Sequence, residues 1–465
     1  MRSRALITGA LLAMPAIAAA SRLHTELKES SPAQDAVLTE SPTVVTLTYT
    51  TDVQLVESSV SVRSATGDAA PVGAGELAYL HEDRQDVLVF ALDGPLGRGS
   101  YIVAWTTAGP DGHALSGEFS FRVDVPGVDE PDGAAGVDAT PAPGVEPEPQ
   151  RTRTAGDAGA PTFEDAAALV TRFLFYTGIV GLLGSVAFKV IVLGAATNAG
   201  FPKEAAEGVS TGAWRIAAIS TALLLVAVPL RLWFQARTFF PDDPGGNLAA
   251  VTAGTPWSTG WWLHTAAGVV AAAGVALCRR VRRGETGWHV VLAAALLVPL
   301  APILSGHAWA DAPRGLSAVA TYLHVVAAGA WVGGLFCLLS AGLPALRAAD
   351  ADRGGTGPGL TTLVGAFSRL ALVAVGTLVA SGGVKAWLHM GAPSDLWTTH
   401  WGRSLLIKDF VVACVMAIGF YNWRVVRPAL SADPDPARLR RSAKAELAFG
   451  AAAVAATSWL VVQPL

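Results

Sequence analysis

From about residue 165 to the C-terminus the chain is a succession of apolar runs. Each is near the roughly 20 residues that carry a helix across the hydrocarbon of a bilayer. No other feature narrows the fold so far, because only helices and closed barrels satisfy their backbone groups in lipid. About eight helices are expected, near 166–194, 211–234, 258–278, 287–306, 316–341, 361–388, 403–424 and 445–463. Pro299 and Pro302 fall inside the fourth, which should be kinked. Composition agrees. Hydrophobic residues make up 52% and charged residues 15%, against about 25% charged in soluble domains. The 14 tryptophans suit membrane interfaces. A net charge of −4 supplies no basic field for nucleic acid. Cys278, Cys337 and Cys414 lie too far apart for a CxxC site or a disulfide framework.

The first part of the chain has another texture. In residues 1–20, Arg2 and Arg4 precede an apolar stretch that ends in small residues, the pattern of a secretory signal peptide. The segment after residue 20 is therefore expected to be exported. Residues 21–124 hold short segments rich in Val, Thr and aromatics: Thr43–Tyr49, Ser58–Arg63, Asp86–Leu92, Ser100–Trp105 and Glu118–Val123. Turn signals between them point to an all-β sandwich or barrel. Residues 125–161 contain recurrent proline and no Leu, Ile or aromatic residue, which predicts an extended tether without a core. Residues 162–465 form the membrane domain.

Charge sets the expected topology. With the β domain outside, alternate loops face the cytoplasm. These hold Lys203, then Arg279, Arg280, Arg282 and Arg283, then Arg347 and Arg353, and finally Arg424, Arg427, Arg438, Arg440, Arg441 and Lys444. The outer loops hold Arg237, Arg314 and Arg403. This is the positive-inside asymmetry, and it places the C-terminus outside.

In that frame the histidines favour one leaflet. His264 sits about six residues into its helix from the outer side, roughly 10 Å deep at the helical rise. His307 ends the fourth helix, His324 lies about a third of the way into the fifth, and His389 and His400 flank the outer loop between the sixth and seventh. Only His289 lies on the inner side, where it reads as interfacial. Imidazole is costly in a membrane unless paired, solvated or metal-bound, and it is a common ligand of transition metals. His307 and His324, with His264 near, therefore read as a metal entry site, or as histidines that make interhelical hydrogen bonds. Lys385, Lys408-Asp409 and Ser368-Arg369 read either as a relay or as groups that fix helix packing. Cys337, Cys414 and Met416 suit Cu(I) but fit core packing as well. In the β domain, Asp111 and His113 are two residues apart, on one side of an extended segment, and with His24 they supply N and O ligands suited to Cu(II) or Zn(II).

These segments resemble two known families. His24-Thr-Glu-Leu-Lys-Glu-Ser-Ser-Pro-Ala33, Gly99-Ser-Tyr-Ile-Val-Ala-Trp105, Asp111-Gly-His113 and Gly117-Glu-Phe-Ser-Phe-Arg-Val123 resemble the CopC copper-resistance domain. Ser305-Gly-His307, Leu323-His324 through Trp331-Val-Gly-Gly334, Phe367-Ser-Arg369-Leu and Trp401-Gly402 through Lys408 resemble the CopD family. The resemblance implies an Ig-like sandwich fused to a polytopic helical domain at the bacterial plasma membrane, with His24, Asp111 and His113 as copper ligands. Cleavage after Ala20 leaves Ser21-Arg22-Leu23 ahead of His24, so the terminal amine is not beside the imidazole. All four methionines lie outside the sandwich, which implies Cu(II) rather than Cu(I) there.

The reading is a copper-binding protein of uptake, homeostasis and resistance, not an enzyme. Its expected partners are the copper ion and the lipid bilayer, and self-association into a homo-oligomer is compatible with the sequence. No P-loop is present to supply ATP energy, so transport would be passive or coupled to potential or protons. The rivals are a haem- or copper-containing membrane redox protein, since paired transmembrane histidines also ligate haem, and a membrane-anchored copper buffer or sensor.

Overall fold

A computed structural model describes residues 25–65, 75–109, 114–124, 152–153, 163–241, 243–280, 285–306, 314–350, 357–390, 392–426 and 436–460. The chain divides into two units, one of β-strands and one of helices.

The β unit is a sandwich. One sheet has the order β1 (Leu27–Ser31), β3 (Val44–Tyr49), β6 (Val87–Ala91), β5 (Leu77–Tyr79), and is antiparallel throughout. The other runs β2 (Val37–Leu38), β8 (Ala114–Val123), β7 (Gly99–Ala108), β4 (Ser59–Ser64), with β2 parallel to β8. The five segments expected to be strands all form strands. Their side chains alternate between the faces of each sheet: Val45, Leu47 and Tyr49 from β3, Tyr101, Val103 and Trp105 from β7, and Phe119, Phe121 and Val123 from β8 fill the space between the sheets. Tyr49 meets Trp105 edge to face at 5.5 Å. Leu47 is fully buried in this core. Leu47→Ala should therefore destabilise the sandwich by about 2–5 kcal/mol, read as a lowered denaturation midpoint. One finding modifies the expected tether. Thr152–Arg153 forms β9 and pairs with Ser116–Gly117 of β8, along the edge that β2 leaves open. Unpaired sheet edges attract such additions.

The helical unit contains α1 (Phe163–Ala187, prolonged by a π segment at Phe188–Leu193 and by Gly194–Asn198), α2 (Lys203–Phe239), α3 (Pro256–Arg280) and α4 (Glu285–Leu297, then Leu300–Leu304). It continues with α5 (Arg314–Ala328, prolonged through π segments at Gly329–Gly333 and Leu338–Gly342 to Asp350), α6 (Gly357–His389), α7 (His400–Tyr421, prolonged by a π segment at Asn422–Val426) and α8 (Pro436–Leu460). The break in α4 falls at Pro299, as the sequence requires. Among the described residues seven helices are long and apolar enough to cross a membrane. The eighth expected helix forms as α8 (Pro436–Leu460) and is not counted among those seven.

Successive helices run antiparallel. Trp214 Nε1 donates to the Val275 carbonyl at 2.9 Å, while Trp261 Nε1 donates to the Val228 carbonyl at 3.0 Å. Gly208 abuts Ala345, and Gly359 abuts Leu346. These pairings gather Lys203, Arg279 and Arg347 at one end of the bundle. Arg279 lies there 4.4 Å over the Trp214 ring. These three cations thus share one end of the bundle.

Candidate functional site

The three expected sandwich ligands, His24, Asp111 and His113, lie outside the described residues, and so does His307. Their neighbours are well placed. Thr25, next to His24, shares a 2.6 Å hydrogen bond with Thr51. Three residues on, Gln54 Nε2 donates to the Gly109 carbonyl at 2.6 Å, and the Gln54 amide donates to the Ala108 carbonyl at 2.9 Å. Ala108 and Ala114 are the last facing pair of the β7–β8 hairpin, whose connection carries Asp111 and His113. The Thr51–Gln54 turn is itself fixed by Tyr79, whose hydroxyl donates to the Val53 carbonyl at 2.7 Å and accepts from the Leu55 amide. One rigid turn therefore anchors both chain segments that lead to the expected ligands. Burial raises the Tyr79 hydroxyl above its usual range, so it stays protonated and keeps both bonds.

In the bundle, His324 and His264 are held in opposite ways. His324 Nδ1 lies 3.1 Å from Ser381 Oγ on α6. That hydroxyl already gives its proton to the Thr377 carbonyl at 2.6 Å, so its lone pair accepts Nδ1–H. The tautomer this fixes leaves the His324 Nε2 lone pair available, as outer-sphere partners do for metal-binding imidazoles. The charges of Lys408 and Lys385 act on the same ring. His264 is fully buried. Its Nδ1 faces Arg231 at 3.3 Å, and a guanidinium can only donate. Nε2 therefore carries the proton. Phe175 closes the cluster, 4.6 Å from the His264 ring and 4.3 Å beneath the Arg231 guanidinium. As held here, His264 offers no lone pair to a cation. Ser305 packs against Gly260, one turn from His264.

The remaining candidates from the sequence are dispersed. His289 and Arg369 are exposed, and the Ser368 hydroxyl bonds back to the Val364 carbonyl on its own helix. Cys337 is buried in the apolar core, with Met416 packed against that core. The side chains of His389 and His400 are not among those described. Among the described residues no three His, Cys, Asp or Glu groups come close enough to hold a metal. Sequence reasoning missed Glu446. It is buried on α8, where Trp331 Nε1 donates to Oε1 at 3.2 Å and Asn422 Nδ2 donates to Oε2 at 2.8 Å. The available signal was a single acidic residue in an otherwise apolar stretch, 445–460.

A two-sheet β-sandwich and a helical region with seven candidate membrane spans define a multi-pass membrane protein. The two domains have families. Residues 27–124 match the CopC domain and residues 361–460 match Copper resistance protein D, so the chain joins a CopC domain to a CopD domain. Copper transport protein CutJ of Bacillus subtilis (strain 168) is 23% identical over 439 residues, which are 92% of this chain and 72% of that protein. Inner membrane protein YebZ of Escherichia coli (strain K12) is 33% identical over 115 residues, 25% of this chain and 37% of that protein. Among solved structures, PcoC, a methionine-rich copper resistance protein from Escherichia coli, is 26% identical, with 22% of this chain and 99% of that chain covered at a TM-score of 0.20. CopC from Methylosinus trichosporium OB3b is 28% identical, with 22% and 96% covered at a TM-score of 0.20.

Proposed function

We propose that the β-sandwich captures Cu(II) on the extracytoplasmic side through His24, Asp111 and His113, and that the bundle passes copper across the membrane. The observation that carries this reading is the joining of a CopC domain to a CopD domain in one chain. The anchoring of both ligand-bearing segments to the Thr51–Gln54 turn supports the capture site. The clustering of Lys203, Arg279 and Arg347 at one end supports an orientation with that end in the cytoplasm. In the bundle, His324 and His307 are the ligands of the transfer path. His324 presents a free Nε2, and His264 joins the path only by giving up its bond to Arg231. A bare dication near Lys385 and Lys408 is repelled, so copper reaches His324 carrying anionic ligands that lower its charge.

Copper accumulation by cells that express the full chain tests the transfer step. His307→Ala with His324→Ala should lower accumulation at least about tenfold, the loss usual for removing even an outer-sphere partner of a bound metal. Unchanged accumulation with copper still held by the sandwich would reduce the helices to an anchor. A Soret band in the purified protein would replace the reading with haem redox chemistry.

A further inference from the structure

Among the described residues of the helical unit Glu446 is the most deeply buried carboxylate, 4% exposed, and the proposed copper path makes no use of it. Its site is built from three elements. Trp331 comes from the Gly329–Gly333 π segment of α5, Asn422 begins the π segment that prolongs α7, and Gly419 of α7 lies beside the carboxylate, where an added Cβ would make ordinary contact with Oε1 at 3.4 Å. Wide π turns are concentrated at functional positions in helices. None of the ion pairs among the described residues involves Glu446.

The hydrogen-bond inventory shows what the site can hold. With Glu446 ionised, both oxygens accept, one from the Trp331 indole and one from the Asn422 amide nitrogen. Asn422 Oδ1 is then buried with no partner. With Glu446 protonated, a half-turn of the amide brings Oδ1 opposite Oε2, and the carboxyl O–H donates to it. The indole bond to Oε1 is unchanged, since an indole N–H serves a carbonyl as well as a carboxylate. In either state both carboxyl oxygens are bonded and one end of the Asn422 amide is idle. No cation is paired with the carboxylate among the described residues, and the amide can turn to serve either protonation state.

Among the described residues, no charged side chain of the surrounding elements is paired with Glu446. On α8, Lys444 is exposed, and so is Arg424 on the π segment after α7. On α7, Arg403, Lys408 and Asp409 lie ten or more residues before Gly419, some 15 Å or more along the axis. Cys414 and Tyr421 are the other titratable groups of that helix. On α1, Arg172 and Tyr176 are engaged electrostatically with Arg231, and Lys189 lies on its π segment. On the α5 segments against α8, Cys337 is buried in the apolar core.

We infer that Glu446 is a proton-binding site, buried between Trp331 and Asn422, through which copper movement in this chain is coupled to protons. The coupling rests on the proposed transport function; the proton site does not. One proton from water converts carboxylate to carboxyl and returns to water on release, with no electron transfer.

Infrared difference spectra of the full-length protein in lipid, titrated with acid without copper, test the site. Wild type should gain the carbonyl band of a buried protonated carboxyl, and Glu446→Gln should lose that band. Identical titrations in both proteins would overturn the proposal. Should Glu446→Gln fail to fold, Asn422→Leu keeps the carboxyl and removes its amide partner, and it must shift the band; no shift also overturns the site. In proteoliposomes loaded from outside with copper, an imposed proton gradient should change uptake by wild type and leave Glu446→Gln insensitive. Equal gradient dependence in both overturns the coupling. A titrating band without any copper flux would leave the proton site standing and remove the transport reading.

Discussion

Gly333→Leu should leave almost no folded bundle after extraction in detergent, while Gly376→Leu should behave as wild type. The difference lies in what each glycine faces. A Cβ on Gly333 would stand 2.2 Å from the Val180 carbonyl oxygen, and one on Gly184 would stand 2.2 Å from the Gly333 carbonyl carbon. One turn away, a Cβ on Gly329 would meet Leu183 Cβ at 2.5 Å. Here α1 and α5 touch backbone to backbone, in the small-residue manner of membrane helix contacts. A side-chain clash relaxes by a rotamer change, but a clash with backbone requires the helices to part. A single added methylene in a packed core costs about 1–3 kcal/mol, and leucine adds four carbons against main chain, so the loss should exceed about 3 kcal/mol. At Gly376 nothing lies within 4 Å of the added atom. Yield of monodisperse protein and its thermal midpoint read the contrast. Equal behaviour of the two variants would mean that α1 and α5 do not pack as described.

Asp111→Ala combined with His113→Ala should abolish tight Cu(II) binding by the sandwich and leave its fold intact. Removing two of three proposed ligands takes away one imidazole and the one carboxylate that offsets the metal's charge. A loss of at least about a hundredfold in affinity is expected, the upper part of the range seen for outer-sphere changes alone. The fold should survive because the substitutions leave Val45, Leu47, Tyr101, Val103, Phe119 and Phe121 of the apolar core in place. Gln54→Ala is the finer test. It leaves every proposed ligand in place and removes only the side-chain bond to Gly109, so affinity should fall by about tenfold or less. Copper stoichiometry and competition with a chelator measure both. Full affinity in the double variant would place the metal elsewhere.

The strands with a buried face were legible because alternation is a property of neighbouring residues: β3, β7 and β8 each expose one side to the core. β1 was not, since Leu27–Ser31 is a mostly polar stretch at a sheet edge, with only Ser30 buried. Its strand character comes from pairing with β3, a long-range fact. In the same way, the sequence shows His24 and Asp111-Gly-His113 as separate segments. The bonds from Thr51 and Gln54, residues of no obvious chemistry, tie their flanks together. The depth of His264 could be counted along its helix, but its tautomer is set by Arg231, 33 residues earlier. Glu446 was hidden by the cluster of Arg and Lys just before it, which draws attention to topology and away from the one acid beyond them.

The π segments give the bundle a property that straight helices lack. Each stretch carries one residue more than an α-helix of the same length. Rewinding Gly329–Gly333 to ordinary pitch would turn the helix beyond it by about 100°. Trp331 would swing off Glu446, and the Gly329 and Gly333 contacts with α1 would turn with it. Two of the widened turns, at Gly329–Gly333 and Asn422–Val426, hold the two donors to one carboxylate. Screw motion of either helix is thereby geared to the hydrogen bonds of a single acid group.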